Sequence, residues 1–200
     1  MNRLSRPRVS SISIICFLVL LPGEIFSLAV AAERDTTAFH STPAFSAVLL
    51  KNQEYFPTLI KLIERAENEI IMSFFLFKAG VHKNSYPDRI LAHLAGAVQK
   101  GVRVVVILEN SGGHERNLDA ENRQTKQLLE AKGVRVFLDS PRKTMHNKLI
   151  VIDQRLILLG SHNLTQSALK YNNEMSVLID RPELAREARA YMLSLIEEAR

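Results

Sequence analysis

The sequence is poor in cysteine: Cys16 is the only one in 200 residues. It lies in an N-terminal apolar run that we interpret as an export signal, so the chain left after cleavage could form no disulfide bond. An exported domain of this kind must be stabilised by its hydrophobic core alone. Hydrophobic residues make up 46% of the sequence, which suits one globular domain with a substantial core.

The N-terminal region lacks an apolar run long enough to span a membrane. Its uncharged run over 9–21 is interrupted by the polar break at 22–24 and falls short of the ~20 residues that a span needs. Three arginines precede the run, namely Arg3, Arg6 and Arg8. Small residues over 28–32 resemble a cleavage site. These features favour a cleaved signal peptide over the alternative, an uncleaved membrane anchor.

We therefore predict a signal peptide over 1–32, cleaved after about Ala31 or Ala32, then a lead-in over 33–43 and one domain over 44–200. The expected location is the periplasm or the cell exterior, without stable membrane insertion after cleavage. The formal charge is +5, of which the signal peptide contributes about +2 and the mature domain about +3. This mild basic balance is compatible with a polyanionic substrate such as nucleic acid or anionic lipid.

Apolar strands and amphipathic helices alternate along the rest of the chain. Strands are predicted over 44–50, 69–77, 102–108, 134–138 and 174–180, and a strand hairpin within 145–163. Helices are predicted over 55–68, 88–100, 118–132, 165–170 and 182–198. Asp88 is the expected N-cap of the second helix and Gly101 its C-cap. The pattern predicts an α/β single domain with a mixed central sheet flanked by helices.

A set of polar residues interrupts the predicted hairpin. His146 and Lys148 are two residues apart and share a face if both lie on a strand, and the return strand brings Ser161 and Asn163 level with them. An imidazole, an ammonium group, a hydroxyl and an amide together suit an oxyanion, most simply a phosphate diester. The sequence holds one copy of this set, since no second region repeats it. The isolated pair of His146 and Lys148 would instead be read as a solvated strand edge.

The spacing of these residues resembles the signature of the phospholipase D superfamily. The run from His146 to Asp153 reads H-x-K-x-x-x-x-D, and after six intervening residues the run from Gly160 to Asn163 reads G-S-x-N. The run Asn172-Asn173-Glu174 resembles the acidic position of that superfamily, which lies just before the family's next strand. The order of elements is similar from about residue 44 to the C-terminus, so the resemblance implies a phospholipase D-like α-β-α sandwich.

The resemblance implies a mechanism and a partner. It is to the small exported endonuclease branch, whose members pair as symmetric homodimers and so supply two motifs. His146 of one copy would form a phosphohistidine intermediate while His146 of the other protonates the leaving oxygen. Lys148, Ser161 and Asn163 would hold the phosphate, and no metal or cofactor would be needed because two lysines supply the positive charge.

Two further residues complete the predicted catalytic set. Glu174 is expected to accept a hydrogen bond from the far nitrogen of His146. Asp153 belongs to the signature, but its position beyond four core residues suggests an anchor at the strand end more than direct chemistry. His162 should face away from Ser161 and Asn163, in a packing or surface role. His40, His82, His93 and His114 have no partners at metal-ligand spacing.

The expected function is metal-independent hydrolysis of nucleic acid, with DNA as the substrate and RNA left open. One alternative is a phospholipase D-type hydrolase of phospholipids, although the mature sequence shows no amphipathic membrane-binding helix. The other is an inactive nucleic-acid-binding module on the same fold. The loop at 111–113 is interpreted as a rim of the active site, and Arg142 and Lys143 as residues able to contact substrate.

Overall fold

The computed structural model describes residues 46–200. The predicted signal peptide and lead-in lie outside them, and within them no helix is long and apolar enough to cross a membrane. The strands are β1 Ser46–Lys51, β2 Glu69–Phe74, β3 Arg103–Leu108, β4 Arg135–Leu138, β5 Lys148–Ile152, β6 Leu156–Gly160 and β7 Met175–Asp180. The α-helices are α1 Tyr55–Arg65, α2 Tyr86–Gln99, α3 Arg116–Glu130, α4 Gln166–Lys170 and α5 Pro182–Glu198.

The strands form one mixed sheet in the order β1-β7-β6-β5-β2-β3-β4. Strands β2, β3 and β4 are parallel to one another, whereas β5, β6, β7 and β1 join by antiparallel pairing. The predicted single α/β domain with a mixed sheet and flanking helices is confirmed. Strands β2 and β3 are almost wholly buried, as their continuous apolar runs predict.

The two faces of the sheet have separate hydrophobic cores. The larger core packs residues of α1, α2, α3 and α4 against one face. The smaller packs α5 against the other, chiefly over the central strands β2, β5 and β6. The second face is therefore less covered where it reaches β7 and β1, because one helix cannot span seven strands.

Several element boundaries differ from those predicted. Helix α1 ends at Arg65 rather than at 68, and β2 ends at Phe74 rather than at 77. Helix α2 begins at Tyr86, because the Ser85 hydroxyl accepts a hydrogen bond from the N–H of Asp88 (3.3 Å) and is the N-cap. The prediction of Asp88 as the N-cap is therefore wrong; Asp88 lies within the first turn.

Candidate active site

The polar set of the hairpin lies at the C-terminal edge of the sheet, by which we mean the side where the parallel strands β2, β3 and β4 end. The antiparallel β5 begins there, so Lys148 pairs with Phe74 at the end of β2. Gly160, the last residue of β6, pairs with Ser176 at the start of β7. A Cβ on Gly160 would collide with Ser176 and with the Met175 carbonyl, so glycine is required where these strands approach.

His146 lies in the loop just before β5 rather than on the strand, which corrects the sequence prediction. The side chain of Lys148 nevertheless folds back toward His146, and its Nζ donates a hydrogen bond to the His146 carbonyl oxygen (3.0 Å). The ring of Phe75 packs against both side chains, with its centroid 4.7 Å from that of His146 and 5.0 Å from the Lys148 Nζ. Phe75 therefore fixes the spacing between the imidazole and the ammonium group. Its role was not predicted from the sequence.

Lys148 is 8% exposed, although it carries a charge. Burial lowers the pKa of Lys148, and the negative charge of Glu174 opposes that shift. The ammonium group is thus withdrawn from water beside the exposed imidazole of His146. A cation with little surrounding water attracts an anionic ligand more strongly than a fully hydrated one does.

Glu174 has different partners from the one predicted. Its carboxylate accepts hydrogen bonds from the Ser161 hydroxyl and from the Asn172 amide (3.1 Å). No hydrogen bond joins Glu174 to His146 in the structure of residues 46–200, which departs from the expectation. The register explains the difference: the N–H of Met175 also donates to the Ser161 Oγ (3.1 Å), so Ser161 lies against the start of β7. Ser161 therefore orients Glu174.

Asn52 connects this region to the edge strand β1. Its side-chain oxygen accepts from the N–H of Glu174 (2.9 Å), and its own N–H donates to the Glu174 carbonyl (2.9 Å). The Asn52 carbonyl contacts the Nε2 of His162 (3.0 Å), whose Nδ1 lies 2.8 Å from the Ser176 hydroxyl. His162 is fully buried and stacked on Tyr55 at 4.3 Å, which confirms its packing role.

Among the predicted phosphate ligands, Asn163 has a buried side-chain atom without a hydrogen-bond partner. Its Oδ1 is buried, and no group among the described residues donates to it. The neighbouring Leu164 pairs with Leu76 just beyond β2, through a hydrogen bond of 3.0 Å. A buried amide oxygen without a donor is costly in a folded protein. Because this oxygen only accepts hydrogen bonds, a phosphate oxygen does not satisfy it, and any contact of Asn163 with phosphate is through its N–H₂ group.

Asp153 lies at the opposite end of β5 from Lys148. Its carboxylate accepts hydrogen bonds from the N–H groups of Glu67 (2.9 Å), Asn68 (2.8 Å) and Glu69 (2.9 Å). These three residues form the connection from α1 to β2. Asp153 itself occupies the tight turn of the hairpin at φ 51°, a conformation that aspartate tolerates better than most residues. These contacts are those of an anchor and place Asp153 outside the group around His146.

The loop at 111–113 encloses an internal carboxylate. The N–H groups of Ser111 (2.7 Å) and Gly113 (2.8 Å) donate to Asp119, as does the Ser111 hydroxyl (3.0 Å). These donors are therefore already used within the protein and are not available to a phosphate.

A different acidic residue supports the motif: the buried Glu109 accepts from the N–H of Met145 (2.6 Å), the residue before His146.

No group of three His, Asp or Glu side chains suited to a metal ion occurs between residues 46 and 200. The described side chains offer the imidazole of His146, the buried ammonium group of Lys148 and the amide of Asn163, whose buried oxygen has no donor.

A family profile described as "Cardiolipin synthase, PLD-like domain" matches residues 59–196, which include the whole set. The chain belongs to the phospholipase D-like family. A protein named "Phospholipase D" from Rickettsia prowazekii (strain Madrid E) is 32% identical over 127 residues, which cover 64% of this chain and 55% of that protein. The phospholipase D-like chain thus spans about half the length of the curated relatives it matches.

Two solved structures share the phospholipase D-like fold. The phospholipase D family member Nuc from Salmonella typhimurium superposes with a TM-score of 0.65 at 23% identity, covering 78% of this chain and 97% of that one. NucT from Helicobacter pylori gives a TM-score of 0.62 at 20% identity and covers 78% and 98%. At these identities the likeness concerns the fold.

Proposed function

We propose that this chain is a phosphodiesterase that hydrolyses nucleic-acid phosphodiester bonds through a phosphohistidine intermediate. The observation that carries the proposal is the pairing of His146 with the buried ammonium group of Lys148 at the sheet edge. This combination supplies a nucleophile and a cation suited to the oxygens of one phosphate.

The reaction has two displacements. A ring nitrogen of His146 attacks phosphorus and forms a P–N bond, while the bond from phosphorus to the leaving oxygen breaks. That oxygen takes a proton from His146 of a second copy. A water molecule then gives a proton to this second imidazole and attacks phosphorus. The P–N bond breaks, which returns both histidines to their starting protonation states.

Lys148 and Asn163 stabilise the charge that develops on the nonbridging oxygens. The lysine supplies positive charge, while the amide N–H₂ of Asn163 donates a hydrogen bond. The ammonium group of Lys148 is withdrawn from water, so it needs little reorganisation when the transition state forms. Ser161 and Asn52 act indirectly by holding Glu174, whose negative charge opposes the lowering of the Lys148 pKa by burial.

A second copy is required because one His146 cannot be both nucleophile and leaving-group acid in the same step. The sheet face left bare by α5 offers a surface for it. Leu49 and Leu159 occupy the same register row across β1, β7 and β6 and are 61% and 39% exposed. Met175, 54% exposed, extends this bare face to Glu174. An exposed apolar area next to half a site supports docking of a second copy there.

The bare face gives a matched pair of variants on one strand. Leu49→Glu places a charge on that face, whereas Val48→Glu places it on the opposite face, where Val48 is 52% exposed. We expect Leu49→Glu to be monomeric by sedimentation, with activity reduced about 100-fold or more because general acid catalysis is lost. Val48→Glu should remain dimeric and active. A fully active Leu49→Glu monomer would contradict the proposal that two copies share one active site.

Nucleic acid is favoured over phospholipid by the charged surroundings of the motif. Arg142 and Lys143, just before His146, form no ion pair among the described residues and are exposed. Cations without an ion-pair partner, so close to His146 in the chain, suit the repeated phosphates of a nucleic acid strand. Phospholipid hydrolysis is the competing function, because the relative from Rickettsia prowazekii is named "Phospholipase D". The third possible function is nucleic-acid binding without catalytic activity.

The proposed function is tested by incubating the purified domain in excess EDTA with plasmid, single-stranded DNA, RNA and anionic phospholipid vesicles. We expect nucleic acid to be cleaved in the chelator, because Lys148 and Asn163 supply the stabilisation that a metal would give. Loss of all cleavage in EDTA would contradict the metal-free mechanism. Hydrolysis of the vesicles alone would contradict the nuclease proposal and show that the protein is a phospholipase.

A further inference from the structure

We propose that the cavity beside His146 binds one base of a single-stranded nucleic acid next to the scissile phosphate. This inference rests on the proposed function and specifies its substrate. The cavity has a volume of about 310 Å³, which is at the small end of ligand pockets and sufficient for a planar base. Its walls carry two basic side chains, Arg142 and Lys143, and two acidic ones, Asp139 and Glu198, together with Met145, Tyr191 and Leu195.

The cavity is joined to the catalytic motif through the chain. Met145 lines it and is the residue immediately before His146. On the other side of His146, the side-chain amide of Asn147 reaches the Tyr191 hydroxyl (3.5 Å). A phosphate bound at His146 would therefore place its flanking nucleotide at the mouth of the cavity.

The lining has the three kinds of group that a nucleotide needs. Tyr191 is 50% exposed and presents an aromatic ring on which a base can stack, while Leu195 forms an apolar floor at 7% exposure. Arg142 and Lys143 are available for the neighbouring phosphates. Asp139, 5% exposed, offers a carboxylate that can accept a hydrogen bond from an exocyclic amine of the base.

These features favour a single strand over a duplex and over a lipid. A base in a duplex is already stacked and paired, so entering the cavity would require it to be unstacked at a cost of a few kcal/mol. An acyl chain needs a continuous apolar lining, whereas charged groups occupy several positions of this wall. The stacked base would also exclude water from one side of the reacting phosphate.

The test compares Tyr191→Ala with two controls, using one oligonucleotide as a single strand and annealed into a duplex. Tyr191→Ala should raise KM for the single strand about 10-fold, the range expected for loss of one base stack, with KM for the duplex unchanged. Tyr191→Phe keeps the ring and should behave as the unmodified protein does. Leu184→Ala removes an exposed side chain (44%) near the start of α5 and should also have no effect.

The outcomes separate the two proposals. If the unmodified protein cleaves DNA but Tyr191→Ala leaves KM for the single strand unchanged, or raises it equally for the duplex, the base-binding cavity is wrong and the proposed function stands. If the unmodified protein cleaves the anionic phospholipid vesicles and no nucleic acid, both are wrong. A KM increase restricted to the single strand, and absent in Tyr191→Phe, supports the cavity as the base site.

Discussion

His146→Ala is expected to lower the turnover of nucleic acid by at least ~10⁴-fold, because the nucleophile and the leaving-group acid are both lost. The imidazole is exposed, and among residues 46–200 its one ring contact is with Phe75. The free energy of unfolding should therefore change by no more than about 0.5 kcal/mol. Activity assays at saturating substrate, together with urea unfolding, measure the two quantities on the same preparation.

His114→Ala is the matched control for this variant. His114 is also exposed and lies in a loop at the same edge of the sheet, outside the motif. It should retain full activity. A His146→Ala variant with activity close to that of the unmodified protein would contradict the mechanism, whereas a loss in both variants would point to a general disturbance of this edge.

Asp153→Ala is expected to act on stability and not on chemistry. The substitution removes the acceptor of three backbone N–H groups in the α1–β2 connection and puts alanine at a left-handed turn position. We expect the free energy of unfolding to fall by about 2–4 kcal/mol. Asp153 is roughly 17 Å along β5 from Lys148, at ~3.3 Å per residue. The turnover number of the folded protein should therefore stay within about 3-fold.

Asp153→Asn keeps one side-chain acceptor and tolerates the turn, so its stability loss should be smaller than that of Asp153→Ala. Denaturant unfolding and active-site-normalised assays distinguish the two effects. If Asp153→Ala were as stable as the unmodified protein but nearly inactive, Asp153 would belong to the catalytic group, as the signature alone implies.

The sequence was sufficient to predict the features that depend on local pattern. The near-continuous apolar run of β3 and the period of α5 identified those elements, and α5 begins and ends where predicted. The motif spacing also placed His146, Lys148, Ser161 and Asn163 at one hairpin. These predictions succeeded because hydrophobic periodicity and chain spacing determine them.

The sequence did not predict contacts that depend on how distant segments pack. Asn52 lies 122 positions from Glu174 and yet binds its backbone, and nothing in its local sequence marks it. The ring of Phe75 contacts both His146 and the Lys148 ammonium group, which the apolar run of β2 does not reveal. The Glu174 partners were also missed, because the register of β6 against β7 decides that Ser161 lies within reach.

The central claim, that two copies of His146 act on one phosphodiester, is tested most directly by mixing subunits. Unmodified and His146→Ala chains are combined in equal amounts under conditions that allow exchange, and activity per total protein is measured. Random pairing leaves roughly one quarter of the dimers with two histidines, so activity should fall to about a quarter of that of the unmodified protein. A fall to only about one half would show that each chain acts alone and would contradict the shared site.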